Sequence, residues 1–91
     1  MSRRLEAVIS GRVQMVSFRH YTQQKALELG VVGWVRNEPD GTVRTVAEGE
    51  ESALRSFREF LDVGSPYADV ESVECEWEEA TGEFERFRIT H

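Results

Sequence analysis

The apolar residues of this 91-residue chain run at a period of two, change to helical spacing, and then repeat that change once more, which leaves few folds open. Leu5, Ala7 and Ile9 alternate with Glu6 and Ser10, so residues 4 to about 13 read as a strand with one face inward. Beyond Gly11, Phe18, Thr22, Ala26 and Leu29 recur at helical spacing, Lys25 and Glu28 face outward, and Gly30 suits a C-terminal cap. That pattern predicts a helix over 18–29. Val31 to Asn37 and Thr42 to Glu48 are rich in β-formers and flank Glu38-Pro39-Asp40-Gly41, whose turn chemistry makes the pair a hairpin. Glu50 and Glu51 oppose the dipole at a helix N-terminus, and Ala53, Leu54, Phe57, Phe60 and Leu61 form an apolar stripe that stops before Gly64-Ser65-Pro66. Val73, Cys75 and Trp77 then alternate with Glu74, Glu76 and Glu78 as a strand, and a final short strand spans about 84 to 90.

The order strand, helix, strand, strand, helix, strand, with an extra terminal strand, predicts an α+β, ferredoxin-like split βαβ sandwich. Its antiparallel sheet carries two helices on one face. Residues 1–91 make a single domain, because two cores in a chain this short would each bury too little apolar surface. No apolar run approaches the roughly eighteen residues that cross a bilayer, and Met1-Ser2-Arg3-Arg4 leads into alternation instead of a signal-peptide core, so we expect a cytoplasmic protein with no membrane partner. The single cysteine, Cys75, cannot form an internal disulfide, and it reads as core filler between Val73 and Trp77. No His, Cys or carboxylate cluster has metal-ligand spacing.

A net charge of -6 excludes a general nucleic-acid binder, which needs a basic stripe. The charge is unevenly spread. Residues 1–46 hold seven Lys/Arg against four Asp/Glu, and residues 47–91 hold four against thirteen, so an anion site belongs in the first half. There the strand ending near Val13, a short loop and a helix starting near Phe18 place backbone N–H groups at a helix N-terminus, where an anion is favoured. Arg19 sits in the first helical turn, against the dipole, and an anionic ligand would explain it: a guanidinium donates two parallel hydrogen bonds to phosphate oxygens.

These residues carry a resemblance. GRVQMVSFR at 11–19, followed by GWVRNEPDGTVRTVAEG at 33–49, resembles the pair of signature motifs of the acylphosphatase family, and His20-Tyr21-Thr22 and the Gly64-Ser65-Pro66 turn extend the likeness over nearly the whole chain. The resemblance implies hydrolysis of acyl phosphates without metal or cofactor. It implies phosphate binding by Arg19, an amide-lined cradle formed by Met15, Val16, Ser17, Phe18 and Arg19, and a water positioned by Asn37. The partners implied are a small acyl phosphate substrate and inorganic phosphate, or a similar anion, as product and inhibitor, acting on a monomer. Met15 stands where the family usually has glycine, and a positive φ there would cost roughly 1 to 2 kcal/mol. Ser17 is a lesser departure of the same kind.

Other readings stay open at this stage. Asn37 equally suits the start of the turn before Pro39, and only the first motif tips it toward catalysis. A non-catalytic anion-binding or regulatory domain of the same fold is the alternative function, and an RNA-binding module is disfavoured by the acidic last strands. His20 is turned about 100° from Arg19 along the helix and reads as solvent-facing. Arg12, Arg36 and Arg44 either raise the local positive potential or are ordinary surface residues. Arginine supplies nearly all of the positive charge, Lys25 being the one lysine, and such an acid-rich surface points to adaptation to a salty cytosol. Chemical unfolding across salt concentrations should therefore show stability rising into the molar range, and stability independent of salt would remove that explanation.

Overall fold

The computed structural model describes residues 2–91. In chain order the elements are β1 (Ser2–Arg12), α1 (Phe18–Leu29), β2 (Val32–Asn37), β3 (Val43–Glu50), α2 (Glu51–Leu61), β4 (Asp69–Glu79) and β5 (Phe87–Ile89). The expected boundaries hold closely except at the last two strands: β4 begins at Asp69, before the alternation read from Val73, and β5 is shorter than 84–90. The sheet order is β4-β1-β3-β2-β5.

β1 pairs antiparallel with β3 and β4, and β2 pairs antiparallel with β3, but β5 lies parallel to β2. The sheet is mixed, which corrects the antiparallel sheet expected from element order. The cause is where β4 ends. Glu78 and Glu79 lie across from Arg4 and Arg3, at the end of the sheet where β2 begins with Val32 opposite Glu48. The chain crosses along that end, so the strand it delivers to the far edge starts beside the start of β2 and runs the same way.

The core lies on one face. Leu5, Ala7 and Ile9 are fully buried on β1, in register with Ala47, Thr45 and Val43 of β3 and with Trp77, Cys75 and Val73 of β4. Phe18, Thr22 and Ala26 of α1 and Leu54, Phe57 and Leu61 of α2 cover this face, α1 over β2 and β5, α2 over β1 and β3. Phe57 meets Phe87 edge to face at 5.8 Å, which ties the second helix to the last strand. Glu74, Glu76 and Glu78 face solvent, charges that guard the edge strand β4 from pairing with other chains. Cys75 is half-buried on the core side, and burial pushes its thiol up.

One buried carboxylate fastens the crossover to the sheet. Glu48 is 3% exposed. It accepts hydrogen bonds from the amides of Thr81 (2.9 Å) and Gly82 (3.0 Å), the Thr81 hydroxyl (3.0 Å) and Arg4 Nη1 (3.1 Å). Burial pushes its carboxyl up, but these donors outweigh burial and hold it below its ordinary value of 4.5. With the folded pKa below the unfolded one, the stabilisation is complete above the unfolded value and is lost as pH falls through the folded one. Glu48→Gln should cost about 2 kcal/mol at neutral pH, and urea unfolding of both proteins from neutral to acidic pH should show that gap narrowing as acid protonates Glu48.

Candidate active site

Three strands, β1, β2 and β5, finish and α1 begins at the end of the sheet opposite the crossover. The first is β1, whose register with β4 slips between Ser10 and Gly11. Gly11 has φ 120°, and a Cβ there would stand 2.3 Å from the Asp69 carbonyl oxygen, so only glycine lets the two backbones approach this closely. The strand bends at this point and Val13 turns into the core.

The loop that follows alternates in direction. Met15 and Ser17 both take a left-handed φ of 62°, with Met15 fully exposed. Val16 between them is buried, and its carbonyl accepts a hydrogen bond from the buried hydroxyl of Ser65. Phe18 packs against Gly64, where a Cβ would stand 2.1 Å from the ring. The turn at 64–66 thus supports the loop from below while Met15 and Ser17 face outward.

Ser17 is the N-cap of α1, yet it makes no side-chain capping bond, and no acidic residue lies in the first turn. The first-turn N–H groups therefore have no capping side chain to satisfy them. Arg19 is half-buried within that turn. Its Nη1 lies 3.5 Å from the Thr90 carbonyl oxygen and 3.3 Å from His91 Nδ1, just past the end of β5.

Asn37 closes β2 opposite Val43, on the helix-covered side of the sheet. Its Oδ1 is buried with no hydrogen-bond partner in the protein. The turn beyond it is stiffened by Asp40, whose Oδ1 accepts from the Thr42 amide at 3.0 Å and the Thr42 hydroxyl at 2.7 Å. Those two donors hold the Asp40 carboxyl below its usual range.

A cleft of about 480 Å³ joins these parts, lined by Met15, Ser17, Phe18, Arg19 and Asn37 with Val13, His20 and Ile89. Arg19 and Asn37, far apart in sequence, share it. Of the five residues expected to form the cradle, Val16 and Phe18 turn their side chains into the core, and of these Phe18 still lines the cleft while Val16 does not. His20 is exposed at the rim and meets Tyr21 edge to face. Arg36 and Arg44 are paired with Glu38 and Glu6, so they are not free charges aimed at the site. Two contributors were not singled out from the sequence: Ser65, noticed only as part of a turn, and Gln14, which lies within the first motif.

Residues 5–89 match the family model described as Acylphosphatase. The chain belongs to the acylphosphatase family. It is 48% identical over 87 residues to the acylphosphatase of Salinibacter ruber, covering 96% of this chain and 92% of that one. It is 47% identical over 90 residues to that of Pelotomaculum thermopropionicum, covering 98% of both. The crystal structure of acylphosphatase from Bacillus subtilis superposes with a TM-score of 0.94 at 36% identity, over 98% of this chain and 99% of that one. Hydrolysis of acyl phosphates is accordingly the activity of this acylphosphatase.

The geometry also decides what Met15 does to the loop. The backbone holds the left-handed conformation with methionine in place, so the methionine costs stability. Met15→Gly should stabilise the protein by roughly 1 kcal/mol, the relief of backbone strain outweighing the added freedom of the unfolded chain. Urea unfolding checks this, and a loss of stability would show that the methionine side chain contributes more than its backbone costs.

Proposed function

We propose that Arg19 and the backbone amides of residues 15–19 bind the phosphoryl group while Asn37 positions the attacking water, in a reaction that uses neither metal nor cofactor. The observation that carries this reading is the unpartnered, buried Oδ1 of Asn37 on the cleft that also holds Arg19. A buried acceptor left without a donor costs roughly 1 to 3 kcal/mol. A water that donates to it at the moment of reaction turns that cost into orientation.

The left-handed residues at 15 and 17 support the binding half of the proposal. Alternation of this kind lets successive N–H groups converge on an anion, and the dipole of α1 adds to them. The side chains that line the cleft include no carboxylate, so nothing on its wall repels the substrate.

In the proposed step the water oxygen attacks phosphorus in line with the leaving acyl oxygen. The bond from phosphorus to that oxygen breaks with its electron pair passing to the carboxylate, and a phosphoryl oxygen accepts the proton the water gives up. A carboxylate leaves readily, so no protein acid is required. Placement of the water and stabilisation of charge on the equatorial oxygens supply the acceleration. Inorganic phosphate, which matches the group held by Arg19, acts as product and competitive inhibitor. The enzyme works as a monomer in the cytoplasm, a reading that rests on its short chain, acidic surface and lone thiol.

Loss of one preorganised donor typically lowers kcat by about 10² to 10³. Arg19→Ala should lose at least that much together with phosphate affinity. Asn37→Ala should lose kcat while phosphate still binds. Steady-state hydrolysis of a model acyl phosphate, with phosphate as inhibitor and with chelator present, measures all three points. Retained turnover in either variant would overturn that residue's role, and inactivation by chelator would overturn the metal-free step.

A further inference from the structure

The two halves of the proposed machinery sit on separate pieces of chain. The cradle belongs to the β1–α1 loop, and Asn37 belongs to the end of β2. In-line attack requires a fixed separation between them, and misplacement by about 1 Å can cost 10²-fold in rate. One side chain spans the gap.

Gln14, half-buried and immediately before Met15, donates from Nε2 to two main-chain carbonyls at once, Glu38 at 2.8 Å and Thr42 at 3.0 Å. Both carbonyls belong to the neck of the β2–β3 hairpin. The Glu38 amide donates to the Thr42 carbonyl at 2.8 Å, and the Gly41 amide donates to the Glu38 carbonyl at 3.1 Å. Glu38 follows Asn37 directly, and Thr42 precedes Val43, the residue opposite Asn37 in the ladder. Gln14 therefore grips the hairpin on both sides of the pair that sets where Asn37 points.

The chemistry of the contact is specific. A primary amide nitrogen carries two N–H donors, and here two carbonyls receive them. A carboxylate of the same shape would face both carbonyls with acceptors only, a thioether would offer no donor, and the shorter amide of asparagine would not reach both. Neither Arg19 nor the helix N-terminus takes part in this contact.

We propose that Gln14 is a positioning residue that sets the distance between the bound phosphoryl group and the water held by Asn37. The inference rests on the roles assigned above to Arg19 and Asn37. It predicts a defect confined to turnover. Phosphate is held by Arg19 and the loop amides, which Gln14 does not touch, whereas the alignment of the water depends on where the hairpin stands.

Steady-state kinetics with a model acyl phosphate, and competitive inhibition by inorganic phosphate, test it on Gln14→Met and Gln14→Asn. Near-ultraviolet circular dichroism selects the temperature at which each variant is folded. Both variants should lose 10- to 100-fold in kcat, with the inhibition constant for phosphate within about threefold of the parent's. Unchanged kcat in a folded variant would overturn the proposal, and so would a parallel loss of phosphate affinity and kcat, which would make Gln14 part of the cradle's own support. If neither variant folds, Gln14→Glu at acidic pH, where a protonated carboxyl supplies one donor, must recover kcat relative to neutral pH more than the parent does, and failure to recover it counts equally against the proposal. Arg19→Ala and Asn37→Ala assayed alongside separate the two levels: unimpaired turnover there removes the underlying roles, while their loss with an unaffected Gln14 variant removes this inference alone.

Discussion

Two non-glycine residues, Met15 and Ser17, are held left-handed one residue apart, and much of the surrounding structure serves to keep them so. Each costs roughly 1 to 2 kcal/mol relative to ordinary backbone. The loop tolerates this because it is fixed at two independent places. Val16 is buried with its carbonyl bonded to Ser65, and Phe18 packs against Gly64. None of these contacts lies within the loop itself. The strain persists because the turn after α2 holds residues 16 and 18 in place, the condition under which strained backbone survives at a functional site.

The same constraint explains what could and could not be read from the sequence. The helix over 18–29 was legible because Phe18, Thr22 and Ala26 recur at its period and Gly30 follows, and the glutamates of β4 were legible because they alternate with Val73, Cys75 and Trp77. Those signals are local. The direction of β5 was not legible, because it depends on the end of the sheet along which the chain crosses, and that is settled by Glu48 binding the amides of Thr81 and Gly82 far along the chain. Arg19 and Asn37 were legible as members of two motifs, but nothing local to either shows that they share a cleft. The inward turn of Val16 escaped notice for a related reason. A motif states which residues occupy a loop, and the alternation of φ that sends one side chain down and its neighbours up belongs to the fold.

An acidic protein that handles an anionic substrate must keep its charges apart, and the topology does so. β4, which carries Glu71, Glu74, Glu76, Glu78 and Glu79, is an edge strand separated from β2 by β1 and β3, and Asn37 lies at the end of β2. Glu48, the carboxylate buried deepest, is at the opposite end of the sheet and is matched by Arg4. Arg36 and Arg44, which looked like candidates for a positive field, are cancelled locally by Glu38 and Glu6. The N-terminus of α1 and Arg19 both direct positive field into the cleft.

Arg19 itself is placed in a way that suits this. A guanidinium oriented by a carboxylate gains position but surrenders its charge to its partner, because the neighbouring anion offsets the field felt by a ligand. Arg19 instead lies beside the Thr90 carbonyl and the ring nitrogen of His91, neither of which is a carboxylate group. The contact also engages Nη1, leaving the rest of the planar fork to meet two phosphoryl oxygens. β5 earns its place in the sheet on this account. By running parallel to β2 it brings Thr90 to the end of the sheet where Asn37 and the cradle already lie, so the crossover fastened by Glu48 at one end determines how the arginine is held at the other.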